Sequence, residues 1–317
     1  MARSPLSDLE AKDASLRGGV SGRSVALNLL VSFRPEQWTK NVIVFAGLLF
    51  GRELFRFRSL AVTVAAFGIF CALSSVIYII NDVADREADR RHPLKSQRPI
   101  ASGALGSGVA LLAAGIVGTA ALACAFVLRP AFGMVAAGYL LLLVMYSAWF
   151  KHVVIIDVLT IAVGFVLRAV AGAVAIAVPI SHWLLVCTIL LALFLALSKR
   201  RHELVLLAGR AVEHRPILGE YSPYLLDQMI GVVAASTLIA YVFYTISPET
   251  QQKFGTDSLG LTIPFPLYGI FRYLYLIHRK EGGGSPAAML LNDRPLLLCV
   301  ALWAAAVVVI IYTRSGV

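Results

Sequence analysis

NDVADREADRRHPLKSQRPIASG, from Asn81 to Gly103, follows an apolar run long enough to cross a membrane. Asp82, Asp85 and Asp89 are spaced i, i+3, i+7, and Asn81 precedes Asp85 by one turn. On a helix those spacings stack oxygen ligands along one face. Oxygen-only ligands on a rigid helix suit Mg²⁺, which usually shares its shell with waters and a substrate's phosphates. Lys95 and Arg98 follow within a few residues, completing the metal-plus-cation clamp that a bound diphosphate requires. The bland reading is a solvated helix end with salt bridges to Arg86, Arg90 and Arg91. Carboxylates at the end of a span are costly and tend to be functional, which favours the diphosphate reading for the set as a whole.

The surrounding composition places this segment at a membrane. The chain has 317 residues, 59% hydrophobic and 15% charged, with a mean hydropathy of +0.80. Soluble domains carry about 25% charged residues. Apolar stretches near the ~20 residues of a membrane helix recur from end to end and leave little room for a soluble domain. The expected architecture is therefore one all-α bundle. Cys71, Cys124, Cys187 and Cys299 are far apart and form no CxxC pair, so they read as small core hydrophobes rather than a zinc site or disulfide framework. Residues 1–23 are polar and lack the apolar core of a cleaved signal peptide. They read as a disordered cytoplasmic tail, with 24–317 as the membrane domain.

Nine spans are expected, at about 36–51, 59–82, 107–128, 131–149, 153–177, 182–199, 228–247, 261–278 and 294–313. With the N-terminus inside, the cytoplasmic rim holds Lys40, the Arg86–Arg98 cluster, Lys151, Lys199–Arg215, Arg279, Lys280 and Arg294, as the positive-inside rule requires. Arg52, Arg56 and Arg58 in the first outer loop go against that rule. Topology and anionic lipid contact would account for most of the rim's positive charge.

Three further constellations stand out. YSAWFKH places Tyr146 and Lys151 at the inner end of the fourth span, where an aromatic belt with a snorkelling lysine is the alternative. LSKRRHE ends the sixth span with Lys199, Arg200, Arg201, His202 and Glu203, either a topological stop or a seat for a second phosphate. Asp157 and Arg168 lie inside an apolar stretch, eleven residues apart, hence on one helix face about 16 Å apart along the axis. They belong either to a site or to a structural ion pair. His92, His152 and His182 lack ligand spacing. Gly282–Gly284 reads as a flexible turn more readily than as a phosphate cradle.

NDVADREAD resembles the NDxxDxxxD motif of the UbiA superfamily of intramembrane prenyltransferases, and YSAWFK resembles that superfamily's tyrosine–lysine element. Within it, RPEQWTKN (Arg34–Asn41), GFVLRAVAGAVAI, LALSKRRHEL and YGIFRYLYLIHRKEGGGSP are similar to the branch that transfers phosphoribosyl groups to decaprenyl phosphate. The likeness runs from about residue 25 to the C-terminus. It implies a nine-transmembrane-helix bundle around a central cavity, in the plasma membrane, with the site facing the cytoplasm. One departure is informative: superfamily prenyltransferases carry a second DxxxD motif where this chain has LSKRRHEL, with Glu203 as its one carboxylate. Cations there attract a phosphate monoester that a carboxylate pair would repel.

The resemblance implies Mg²⁺ held by Asn81, Asp82, Asp85 and Asp89, with Asp82, Asp85, Asp89 and Lys151 as catalytic residues. Lys40, Asn41, Asn81, Lys95, Arg98, Tyr146, Asp157, Arg168, Lys199, Arg200, Arg201 and Glu203 are the expected substrate contacts. The expected substrates are phosphoribosyl pyrophosphate and a polyprenyl phosphate, the product feeding cell-wall arabinan. No nucleic acid is implicated, and self-association is left open. A prenyltransferase acting on an aromatic acceptor is the rival activity. A transporter or lipid-binding protein is the rival class, disfavoured because most of the charge lies at one face rather than near the midplane.

Overall fold

The computed structural model describes residues 24–91, 95–206, 216–279 and 286–313. The expected tail (residues 1–23), His92, Arg215, Lys280, and Gly282–Gly284 lie outside the described residues.

Among the described residues every regular element is helical. Seven helices are long and apolar enough to cross a membrane: α3 (Phe57–Ala84), α5 (Ser107–Leu128), α6 (Pro130–Ala148), α7 (Ile156–Ala175), α8 (His182–Leu206), α9 (Pro223–Ile246) and α13 (Arg294–Thr313). Shorter helices are α1 (Val25–Ser32), α2 (Ala46–Phe50), α4 (Arg86–Arg91), α10 (Pro248–Phe254), α11 (Pro264–Arg279) and α12 (Pro286–Asn292).

Two of the nine expected spans take other forms, so that count is an approximation. The span expected at 36–51 is a 3₁₀ segment, Pro35–Phe45, running into the five-residue α2. Eleven residues in 3₁₀ form is an unusual length. Its rise of about 2.0 Å per residue lets a short stretch reach about 30 Å with α2, near the thickness of the hydrocarbon layer. The span expected at 261–278 is α11, whose 16 residues cover about 24 Å.

Helix starts follow local chemistry. Ser222 caps α9 by accepting from the Leu225 amide at 3.1 Å, with Pro223 in the first turn. That cap sets the start of α9 five residues before the expected 228. At the other end, α8 continues through LSKRRHE to Leu206, so the cations occupy its last turns rather than a loop beyond it.

The described residues divide into two compact units, one of 24–39 and 68–124, the other of 40–67 and 125–313. In the first, the Trp38 indole donates to Ser75 Oγ at 3.1 Å, and Ser75 Oγ donates to the Phe33 carbonyl at 2.9 Å. Asn28 Nδ2 donates to the Ala104 carbonyl at 3.2 Å. These bonds tie α1 and the start of the 3₁₀ segment to α3 and to the loop before α5. In the second unit, one core gathers Val158, Phe194, Leu197, Leu226, Ile230 and Tyr273 from α7, α8, α9 and α11. Another gathers Phe50, Tyr241, Tyr244, Phe254 and Ile311 around the far end of α9. All four cysteines are free thiols, Cys71 and Cys299 buried and Cys124 exposed.

Candidate active site

The aspartate segment keeps the register read from the sequence. α3 ends at Ala84 and α4 begins at Arg86, yet the Asp85 amide donates to the Asn81 carbonyl and the Asp89 amide to the Asp85 carbonyl, each at 2.8 Å. Helical hydrogen bonding thus carries across the junction and keeps the acidic residues a turn apart. Asp82 and Asp89 are buried and Asp85 is half-buried. Arg98 Nη1 donates to both buried carboxylates, 3.0 Å to Asp82 Oδ1 and 2.6 Å to Asp89 Oδ2. Lys95 Nζ stands 3.9 Å from Asp89 Oδ1.

Arg34 also pairs with Asp82, and its guanidinium lies over the Tyr78 ring, 5.1 Å from the centroid. The ion pairs of the bland reading exist, but with Arg34 and Arg98. Arg90 turns instead to Glu87, at 3.0 Å, and to the Ala101 carbonyl. Among the described residues no three carboxylate, imidazole or thiolate groups converge as a metal-ligand set. In this segment one guanidinium nitrogen of Arg98 bridges Asp82 and Asp89. The donor chemistry, hard oxygens on successive turns, nonetheless fits a small hard divalent cation.

In the second unit, residues from the three further constellations of the sequence, Tyr146, Asp157, and Arg200 with Glu203, fall into one network. Arg200, 2% exposed, donates from Nε to Asp157 Oδ2 at 2.9 Å and from Nη1 to Glu203 Oε2 at 2.7 Å. Its Nη2 reaches the Tyr146 hydroxyl at 3.4 Å. Lys199 Nζ lies 3.6 Å from Glu203 Oε1 with 42% of its side chain exposed. Arg201 pairs with Asp227, which also faces His278 Nε2 at 3.2 Å. The three consecutive cations therefore differ sharply: Arg200 is a buried tie, Arg201 is held by α9, and Lys199 is presented outward. Lys151 lies on the 3₁₀ turn Phe150–His152 between α6 and α7, and Lys40 on the long 3₁₀ segment, both half-buried.

Asp157 and Arg168 sit in different clusters. Arg168, also buried, donates from Nε to Asn41 Oδ1 at 2.7 Å and from Nη2 to the Tyr139 hydroxyl at 2.6 Å. Its guanidinium stacks 4.8 Å from the Tyr139 ring centroid and 5.0 Å from that of Phe165. Close backbone approach makes the Asn41 bond feasible. One turn on from Arg168, a Cβ at Gly172 would stand 1.8 Å from the Val44 carbonyl oxygen, so only glycine allows α7 this near the 3₁₀ segment.

Four contributors carried no assignment in the sequence: Arg34, Tyr139, Tyr221 and Asp227. Asp227 had a readable signal, as a carboxylate at the edge of an apolar span. Tyr221 had none. Its hydroxyl donates to Asp157 Oδ1 at 3.0 Å and accepts from the Ile155 amide at 2.7 Å. Burial is the main cause that pushes this phenol up to about 12, with the Asp157 charge adding to it. Ile155 has φ of +68°, strained for a β-branched residue, and its amide is fixed by this bond.

A multi-pass, all-helical membrane protein with charged clusters at the ends of its spans is the class that this architecture defines. The UbiA prenyltransferase family matches residues 41–292, and the chain belongs to that family. It is 32% identical over 300 residues to "Decaprenyl-phosphate phosphoribosyltransferase" of Corynebacterium glutamicum, covering 92% of this chain and 88% of the relative. It is also 32% identical over 304 residues to the protein of the same name from Mycolicibacterium smegmatis, covering 92% and 94%. Among solved structures, a UbiA homolog from Archaeoglobus fulgidus bound to GPP and Mg²⁺ superposes with a TM-score of 0.68 at 19% identity, covering 90% of this chain and 99% of that one. Membership in this family and these relatives make the chain a transferase.

Proposed function

We propose that this protein transfers the 5-phosphoribosyl group from phosphoribosyl pyrophosphate to a polyprenyl phosphate, decaprenyl phosphate by the names of its relatives, releasing pyrophosphate. The observation that carries the reading is similarity over nine-tenths of the chain to two proteins so named. The departure at LSKRRHE supports it, because a second phosphate-bearing substrate needs cations where an acidic motif would repel it.

The aspartate segment is assigned to the donor's pyrophosphate. Asn81, Asp82, Asp85 and Asp89 would hold Mg²⁺, which when bound supplies positive charge to the leaving pyrophosphate. Lys95 and Arg98 neutralise the same group from the chain's own side, Arg98 exchanging part of its contact with Asp82 and Asp89 for phosphate oxygen. The acceptor's phosphate is assigned to Lys199, the one cation of its run presented outward, with Arg201 beside it. Lys40 and Lys151 are assigned as further phosphate contacts.

In the reaction the ribose C1–O bond to pyrophosphate breaks and a C1–O bond to the acceptor phosphate forms. The acceptor is already an anion at neutral pH, so no strong base is required. Orientation and leaving-group stabilisation supply the acceleration. The reading places the protein in the plasma membrane with its site facing the cytoplasm, and its product in cell-wall arabinan synthesis. Incubating purified protein with labelled phosphoribosyl pyrophosphate, polyprenyl phosphate and Mg²⁺ tests it: label in the lipid fraction supports it, and transfer of a prenyl group to an aromatic acid instead overturns it.

A further inference from the structure

The three arginines of RELFRFRS, Arg52 to Ser59, contradict the positive-inside pattern and have no part in the transfer reaction. In the structure this loop is a built surface. The Glu53 carboxylate staples it, accepting from Arg56 Nη1 at 2.9 Å and from Ser59 Oγ at 2.7 Å, while the Glu53 amide donates to the Leu48 carbonyl at 3.0 Å. The Leu54 amide donates to the Tyr312 hydroxyl at 3.0 Å, and the Phe55 ring meets Tyr312 edge-on at 5.0 Å. Arg52, at φ +60°, donates to the Lys253 carbonyl at 3.4 Å. The loop is thereby anchored to α13 and α10.

On that anchored frame, apolar and cationic side chains alternate outward. Phe55 is 75% exposed and Phe57 84%. Three-quarters of the Arg56 side chain is also exposed, and so is Arg58. Phe57 opens membrane span α3, so the loop lies at a water–hydrocarbon boundary. Gly51, at its start, shares a small cavity with Ser181 and Leu184 at the start of α8. Lys199–Arg201 lie about 25 Å along that helix, at its other end. The loop therefore marks the membrane face opposite those cations.

We infer that the Arg52–Ser59 loop binds anionic phospholipid headgroups of the leaflet opposite the cation cluster. Exposed phenylalanine rings at a span's end insert at the boundary between headgroups and acyl chains. Arginine forks match phosphate oxygens in pairs, which a lysine does not. Glu53 is only 15% exposed and is committed to the staple, so the outward charge is positive. A membrane surface supplies both halves of this alternation at once, ring depth and phosphate charge.

The test uses the full-length protein in nanodiscs of phosphatidylcholine, with or without about one-third phosphatidylglycerol, and native mass spectrometry of lipid retained after detergent release. Wild type should show a higher thermal midpoint and several-fold more retained phosphatidylglycerol in the anionic discs. Arg58→Gln, which leaves the Glu53 staple intact, should lose a clear part of that difference while keeping its midpoint in phosphatidylcholine. Arg56→Gln/Arg58→Gln should lose most of it, and 0.5 M salt should reduce the wild-type difference, as expected for screened charge. An equal phosphatidylglycerol effect in wild type and variant would overturn the inference. So would a variant that changes only the oligomeric mass, since the surface would then join copies of the chain. A second variant, Phe57→Ser, leaves the Phe55–Tyr312 anchor in place and should keep the salt-sensitive component but bind fewer lipids, which separates headgroup attraction from a folding defect.

Discussion

Tyr221 donates a hydrogen bond of 3.0 Å to Asp157, a residue 64 positions earlier, and so closes a network that runs on to Arg200 and Glu203. The same hydroxyl holds the strained Ile155 amide, at the end of the connection that carries Lys151. Tyr221→Phe leaves the ring in place and takes the hydroxyl from both groups, while Asp157 keeps its bond to Arg200. The expected cost is about 1–3 kcal/mol, with faster hydrogen exchange at the Ile155 amide. Unchanged exchange at Ile155 would show that the loop is held by other means.

The same phenol sets an alkaline limit. Its value is about 12 in the fold, above the 10 of a free tyrosine. A group raised in this way contributes stability that is complete below pH 10 and is lost as pH rises through 12. The wild type should therefore lose, between pH 10 and 12, an increment of thermal stability that Tyr221→Phe lacks from the outset. Parallel pH curves for the two proteins would refute the network's role.

Lys199, Arg200 and Arg201 should respond differently to truncation, although the sequence sets them side by side. Lys199→Ala removes an outward charge and should raise the KM for polyprenyl phosphate by about ten- to a hundredfold, the effect of losing a charge-assisted contact of about 1.5–3 kcal/mol. Arg200→Ala removes a buried guanidinium that ties Asp157 to Glu203 and should destabilise the fold by about 3–5 kcal/mol. Steady-state kinetics and thermal midpoints on both variants check the division. A Lys199 variant that loses affinity for the ribosyl donor alone would move that cation to the donor's 5-phosphate.

How much of this was legible in the sequence depended on range. The Asn81–Asp89 register was readable because it is local, and helical bonding through Ala84–Arg86 preserves it. The seven long spans were readable from apolar length. The 3₁₀ form of Pro35–Phe45 was not, because it arises from tertiary contact, where Gly172 admits the Val44 carbonyl and Asn41 meets Arg168. The sequence likewise marked Asp157 and Arg168 as costly and left open whether they pair. Their partners lie 43 and 127 residues away, at Arg200 and Asn41, beyond any periodicity.

Gly172 gives a packing test of that contact. Gly172→Ala would drive a methyl group into the Val44 carbonyl, and overpacking of this kind costs about 1–3 kcal/mol or more. The displaced 3₁₀ segment should also weaken the Asn41–Arg168 bond, so the variant should share the thermal loss of Asn41→Ala. Double-mutant additivity would mean that the two are independent.

Asp85 tests the donor side. It is the half-buried member of the acidic set, between two carboxylates bridged by Arg98. Asp85→Asn keeps the shape and removes a charge, so turnover should fall to background while the helical circular dichroism is unchanged. Activity within a fewfold of wild type would remove Asp85 from the proposed metal-ligand set.

Donor identity separates the two transferase readings most sharply. Phosphoribosyl pyrophosphate carries phosphate at both ends with hydroxyls between, whereas an isoprenyl diphosphate has one charged end and a long apolar tail. The ribosyl donor with a phosphorylated acceptor brings three phosphate-bearing groups, for which the proposed function assigns cations in each unit: Lys95 and Arg98 in one, Lys199 in the other. Ligands that bind only the native state stabilise it, by about 2.7 kcal/mol at a hundredfold excess over Kd. Phosphoribosyl pyrophosphate with Mg²⁺ should therefore raise the thermal midpoint of the purified protein, and geranyl diphosphate at equal concentration should raise it much less. Asp85→Asn should abolish the first effect. The reverse order, with geranyl diphosphate protecting more strongly, would favour prenyl transfer over phosphoribosyl transfer.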